Sequence, residues 1–126
     1  MKNGTLKQNG VHLEKHEYLT VKLLLSLGYD IELIPKSEIK GLQMPDLMLQ
    51  GKPWEMKAPQ GDSKNTIRHI MQKAGHQSSN VIMDLRRSKL NSNIALKEIY
   101  LHFTLSRRIR TMKVIINEEK IIDYTK

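Results

Sequence analysis

Apolar residues recur along this chain at two periods, and the switches between them divide it into short elements. Residues 12–27 read as a helix closed by Gly28, where helices often place a left-handed residue. Tyr29–Pro35 alternates Ile31 and Leu33 with polar neighbours, which predicts a strand, and Lys36–Met44 is a polar loop containing Gly41. DLMLQ (46–50) and PWEMKA (53–58) are two strand-like runs flanking a predicted turn at Gly51-Lys52. Asp62 or Ser63 can cap a second helix running to about Gln77, with Ile67, Ile70, Met71 and Ala74 at helical spacing. NVIMDL (80–85) reads as a buried strand. Residues 93–109 form a third amphipathic helix through Ile94, Leu101 and Leu105, and MKVII and KIIDY pair across Asn117–Glu119. The order α-β-β-β-α-β-α-β-β predicts an α+β or mixed α/β domain, with a largely antiparallel or mixed sheet flanked by three helices. Residues 1–11 read as a flexible arm and 12–126 as one domain.

Composition narrows the class. At 126 residues the chain suits one core, large enough to fold without a disulfide or metal. The absence of cysteine excludes a disulfide framework, a thiolate zinc site and a cysteine nucleophile. The polar opening MKNGTLKQNG has no signal-peptide core, and no apolar run exceeds the three residues of Leu23–Leu25. A soluble protein that does not act on a membrane is the expectation.

Charge adds a partner. The net charge is +8, and between Arg86 and Lys113 eight cations (Arg86, Arg87, Lys89, Lys97, Arg107, Arg108, Arg110, Lys113) face one acid, Glu98. Such a cluster favours phosphate contacts, although a solvated face has the same composition. One Trp, one Phe and four Tyr are too few for a base-stacking platform.

With Gln50 placed opposite Pro53, Met48 faces Glu55 and Asp46 faces Lys57. Period-two alternation then puts Asp46, Met48, Gln50, Glu55 and Lys57 on one face, and the apolar set Leu47, Leu49, Trp54 and Met56 on the core face. Two close carboxylates repel unless a cation or a shared proton relieves them, and oxygen ligands completed by water suit Mg²⁺. A surface strand with an Asp–Lys cross-strand pair fits the same residues.

On the first helix Glu17 interrupts the stripe of Leu13, Val21 and Leu24. That position needs a compensating cation, metal or donor, unless a frayed first turn lets the carboxylate reach solvent; Glu14 is the alternative if the helix phase differs. His69 and His76 lie on one side of the second helix, able to contact phosphate or to act as acid and base; surface histidines have the same look. Gln77 sits beside the buried stripe. His12 and His16 have a metal-like spacing but lack a third ligand.

Pro45-Asp46 followed by Glu55-Met56-Lys57, with a helical Glu before and a helix after, resembles the PD-(D/E)xK nuclease signature. GYDIELIP, PDLMLQGKPWEMKAP, KAGHQ, VIMDLRRS and SRRIR, in that order over residues 12–126, are similar to C-terminal toxin domains of CdiA-type contact-dependent inhibition proteins. The resemblance implies a nuclease directed at tRNA, acting in the bacterial cytoplasm after delivery as part of a secreted or mobile-element effector, and neutralised by an immunity protein. By position it implies Asp46 and Glu55 as ligands of Mg²⁺ or Mn²⁺, Lys57 acting on the attacking water, Glu17 completing the acidic cluster, and Gln77 as a supporting residue.

The expectation is therefore a metal-dependent nuclease, with Arg86, Arg87, Arg107, Arg108 and Arg110 holding the nucleic acid. A metal-independent ribonuclease on a barnase-like fold would instead use Lys57 with His16, His69 or His76 and the arginines. A non-catalytic nucleic-acid-binding module would leave the acidic pair structural.

Overall fold

A computed structural model describes residues 2–126. The chain runs β1 (Leu6–Lys7), α1 (Lys15–Ser26), β2 (Ile31–Leu33), β3 (Leu47–Leu49), β4 (Lys52–Lys57), α2 (Lys64–Gln77), β5 (Asn80–Asp84), α3 (Ser92–Leu105), β6 (Thr111–Asn117) and β7 (Lys120–Thr125). The strands form one sheet in sequence order. The β1–β2, β4–β5 and β5–β6 pairs are parallel and the rest antiparallel, so the predicted α+β domain has a mixed sheet. Its parallel centre departs from the mostly antiparallel sheet of the barnase-like alternative. Within the stretch expected as an arm, Leu6–Lys7 pairs with Ile31–Glu32 and extends the sheet by a strand.

Each sheet face carries its own core. On one face α1 packs Val21 and Leu24 with Leu33, Leu47, Trp54, Met56 and Ile82. On the other, Ile67, Met71 and Ala74 of α2 and Ala95, Ile99 and Phe103 of α3 pack with Val81, Met83, Met112 and Val114. The single β5 strand serves both, and all five of its residues are buried.

Local chemistry sets the element ends. Glu14 and Glu17 form a reciprocal capping box at the start of α1. The Ser63 hydroxyl accepts the Asn65 N–H, and the Asn91 side chain accepts the Asn93 and Ile94 N–H groups. The third helix stops at Leu105 rather than 109, and its phase differs from the expectation. Ala95, Ile99 and Phe103 are buried while Ile94, Leu101 and Leu105 are exposed, because the small alanine lets α3 approach the sheet on that side. Arg107 and Arg108 consequently lie in the connection to β6.

The β3–β4 turn also differs from the expectation. Leu47 pairs with Trp54, Met48 with Pro53 and Leu49 with Lys52, so Gln50-Gly51 forms the turn instead of Gly51-Lys52. Both turn residues have positive φ, 55° and 76°, as a two-residue type I′ connection requires, and glycine takes the second place without strain. The pairing moves by two residues, which preserves which side chains share a face. Met48 therefore stands opposite Pro53, and Asp46, just beyond the paired residues, bonds to the Trp54 carbonyl and sets its carboxylate beside Glu55 instead of across from Lys57.

Candidate active site

The hairpin fixes Asp46 by two backbone contacts. Its N–H donates to the Trp54 carbonyl at 3.0 Å, and its Oδ2 accepts the Met56 N–H at 2.8 Å. The carboxylate is thus clamped against β4 beside Glu55. Glu55 shares a sheet face with Lys57 two residues on, and its Oε2 lies 3.1 Å from Lys57 Nζ.

The polar face of this hairpin is not a solvent face. Glu55 is only 2% exposed, because its register partner Val81 sits under α2 and α3. Lys57 keeps 23% of its side chain accessible. The Glu55 Oε1 atom is buried without a hydrogen-bond partner. Burial first, and then the Asp46 charge, push the Glu55 carboxyl up to about 7, with Lys57 pulling the other way. A buried carboxylate oxygen left bare is costly, so this site favours a proton or an added cation.

Beside the hairpin lies a cavity of about 420 Å³ lined by Asp46, Glu17, Glu14, His12, Lys36 and Gln77, among others. It gathers Glu17 from α1, Asp46 from the hairpin and Gln77 from the last turn of α2. Glu17 is held at the third position of its helix, where its Oε1 accepts the Glu14 N–H at 3.0 Å. Its place on the apolar side of the helix thus has a local cause: it is half of the cap.

The histidines separate. His69 and His76 are exposed on α2 and do not line this cavity. His12 lines it, whereas His16 borders a second cavity with Asp84, Arg86 and Glu118, so the two do not form one ligand pair. Among the described residues no three histidine, aspartate or glutamate side chains converge as a metal site. The Asp46–Glu55 pair still fits a hard cation of the Mg²⁺ kind, which commonly takes one or two protein carboxylates and keeps its waters; the bare Oε1 is the observation in its favour.

The basic segment divides into parts. Arg86 donates to Asp84 through Nε and a terminal nitrogen at 3.0 and 2.8 Å, and to the Leu19 carbonyl at 2.9 Å; it also lies 3.5 Å from Glu118. Lys113 is buried, bonded to Asp123 at 2.9 Å and positioned over the Tyr29 and Trp54 rings. Both cations belong largely to the fold. Arg87 is exposed and donates to the Ala58 carbonyl, just beyond β4. Arg107, Arg108 and Arg110 are exposed at the opposite strand ends, where the Arg110 N–H donates to the Ser79 carbonyl before β5.

The sequence reading missed the Asp84 network. Asp84 is 4% exposed, receives the Thr20 hydroxyl at 2.7 Å and binds Arg86. Burial opposes its ionisation, but hydrogen bonds from Arg86 and Thr20 and the Arg86 charge hold its carboxyl below the usual range. An aspartate closing an apolar strand, followed by Arg-Arg, was the available signal. The cavity residues Lys36 and Gln43 lie in an irregular loop, where periodicity gives no placement.

The chain is thus a three-layer α/β/α domain that carries a carboxylate pair and a lysine on its hairpin. Residues 43–121 match the family described as the contact-dependent growth inhibition CdiA C-terminal domain; this is more than half of the chain, which belongs to that family. Among solved structures, the chain is similar in fold to one from Burkholderia pseudomallei described as a CdiA-CT/CdiI toxin and immunity complex. The TM-score is 0.71 at 16% identity, covering 98% of this chain and 100% of the other. No curated protein matches the sequence.

Proposed function

We propose that this domain is a toxin nuclease that hydrolyses phosphodiester bonds with the help of Mg²⁺ or Mn²⁺, with tRNA as its substrate. The observation that carries the reading is the buried, unpartnered Glu55 Oε1 beside Asp46, with Lys57 on the other Glu55 oxygen. Family membership supports it, since CdiA C-terminal toxins are usually nucleases.

Asp46 and Glu55 would hold the divalent ion, which when bound lowers the pKa of water and polarises a phosphoryl oxygen. Asp46 is orientated for this by the Met56 N–H. Lys57 supplies a positive charge next to the reacting phosphate and can hold the attacking water through its remaining ammonium hydrogens. Glu17, on the cavity shared with Asp46, adds a carboxylate, and Gln77 adds an amide that can both donate and accept. Arg87 and the exposed Arg107, Arg108 and Arg110 meet flanking phosphates, with Arg86 contributing mainly by fixing the strand end.

The solved neighbour is a toxin and immunity complex, which supports a cognate immunity protein for this chain too. Delivery into a target cell and action in its cytoplasm follow from the same reading. Purified protein incubated with total tRNA and with plasmid DNA tests it. Cleavage of tRNA with Mg²⁺ that stops in excess EDTA is expected. Cleavage unchanged by EDTA would contradict the metal role, and no cleavage of either substrate would favour a binding module.

A further inference from the structure

The segment between β2 and β3 has no regular structure, yet it carries apolar residues at the surface: Ile39, Leu42 and Met44 are 69%, 51% and 39% exposed. Leu42 and Met44 line the 420 Å³ cavity that also holds Glu17 and Asp46, together with Gln43, Gln77 and Lys36. Apolar side chains kept in water beside a polar cleft call for a ligand with an apolar surface.

The surrounding charges restrict which ligand. Without a bound cation, Glu14, Glu17 and Asp46 on the same cavity repel an acidic peptide or a free phosphate pushed deep into it. A nucleobase is neutral and flat, with a hydrogen-bonding edge. The volume falls among small-molecule sites, with room for one nucleoside unit and not for a duplex. Glutamine amides present a donor and an acceptor, as reading a base edge requires.

We propose that this cleft is a nucleobase-binding subsite, in which Leu42 and Met44 pack on the base, Gln43 and Gln77 read its edge, and Lys36 meets its phosphate. The subsite makes the domain selective for one unpaired or extruded nucleotide next to the bond it cuts. This inference rests on the nuclease reading for its role, but base binding itself is measurable without cleavage.

The test uses the full chain with labelled methionine methyl groups, titrated with each of the four ribonucleoside 5′-monophosphates. The Met44 methyl signal should shift, with one nucleotide binding about tenfold tighter than the weakest; Leu42→Ser should weaken all four, and Gln43→Ala should abolish the preference. Ile39→Ser, on the same segment but outside the cavity, should leave it intact. Cleavage of a randomised single-stranded RNA pool should likewise show a preferred nucleotide that is lost in Gln43→Ala. No Met44 shift with any nucleotide, equal responses to all four, or a preference unchanged in Gln43→Ala overturns the subsite. Selective binding without cleavage of any RNA upholds the subsite while refuting the nuclease.

Discussion

Asp46 and Glu55 lie side by side at the open end of the β3–β4 hairpin, yet only one of them has its charge accounted for. Asp46 accepts a backbone N–H, whereas Glu55 is buried with one oxygen on Lys57 and the other on nothing. The asymmetry places the cost of ionisation on Glu55, whose carboxyl rises to about 7.

A stability consequence follows. A folded-state value raised from 4.5 to about 7 means that the native protein binds more protons than the unfolded chain between those limits. The Glu55 contribution is fully present below about pH 4.5 and is lost as pH rises through about 7. Urea denaturation in EDTA should show this decline, and Glu55→Gln should flatten it. The variant should gain roughly 1–3 kcal/mol over wild type at pH 8. A wild-type curve that rises between pH 5 and 8, with Glu55→Gln parallel to it, would contradict the burial argument.

Arg86 and Asp84 predict a structural loss instead. Their pair, with Asp84 buried and Arg86 half-buried, is tied to Thr20 and to the Leu19 carbonyl and joins α1 to the end of β5. Removing one partner of a buried pair costs about 3–5 kcal/mol. Arg86→Ala should therefore lower the denaturation midpoint strongly, while Arg107→Ala, at an exposed site, should barely move it.

The exposed arginines predict a salt effect. Neutralising Arg107, Arg108 and Arg110 together should weaken RNA binding evenly across sequences and flatten the salt dependence by roughly one unit of slope per lost phosphate contact, slightly less for single strands. A salt titration of binding measures both. Identical slopes and affinities would remove this cluster from the interface.

The turn gives a prediction independent of function. Gln50 is held at φ 55°, which asparagine tolerates better than glutamine. Gln50→Asn should raise stability by about 0.5 kcal/mol; a loss seen in chemical denaturation would speak against the Gln50-Gly51 turn.

Much of this architecture was legible where a period was long and unambiguous. Ile67, Met71 and Ala74 gave α2 its buried face, and the alternation about Gly51 assigned Trp54 and Met56 to the core and Glu55 and Lys57 to the opposite face. The register was not legible, because a shift of two residues leaves every parity unchanged; only the turn geometry at Gln50-Gly51 decides it. The burial of Glu55 escaped for another reason: a polar face reads as solvent until a helix from elsewhere in the chain covers it. On α3 the large residues Ile94, Leu101 and Leu105 outweighed the small Ala95 in the pattern, although close packing selected the alanine side. The Asp84–Thr20 contact spans 64 residues, beyond any local signal.

Asp46, Glu55 and Lys57 together are proposed as a phosphodiester-cleaving centre. Its most direct test is the single-turnover cleavage rate of labelled tRNA in Mg²⁺ by wild type and by Glu55→Gln, a variant expected to fold at least as stably. A loss of about a hundredfold or more is expected, with the fold intact. A folded Glu55→Gln protein that cleaves tRNA at the wild-type rate would contradict it.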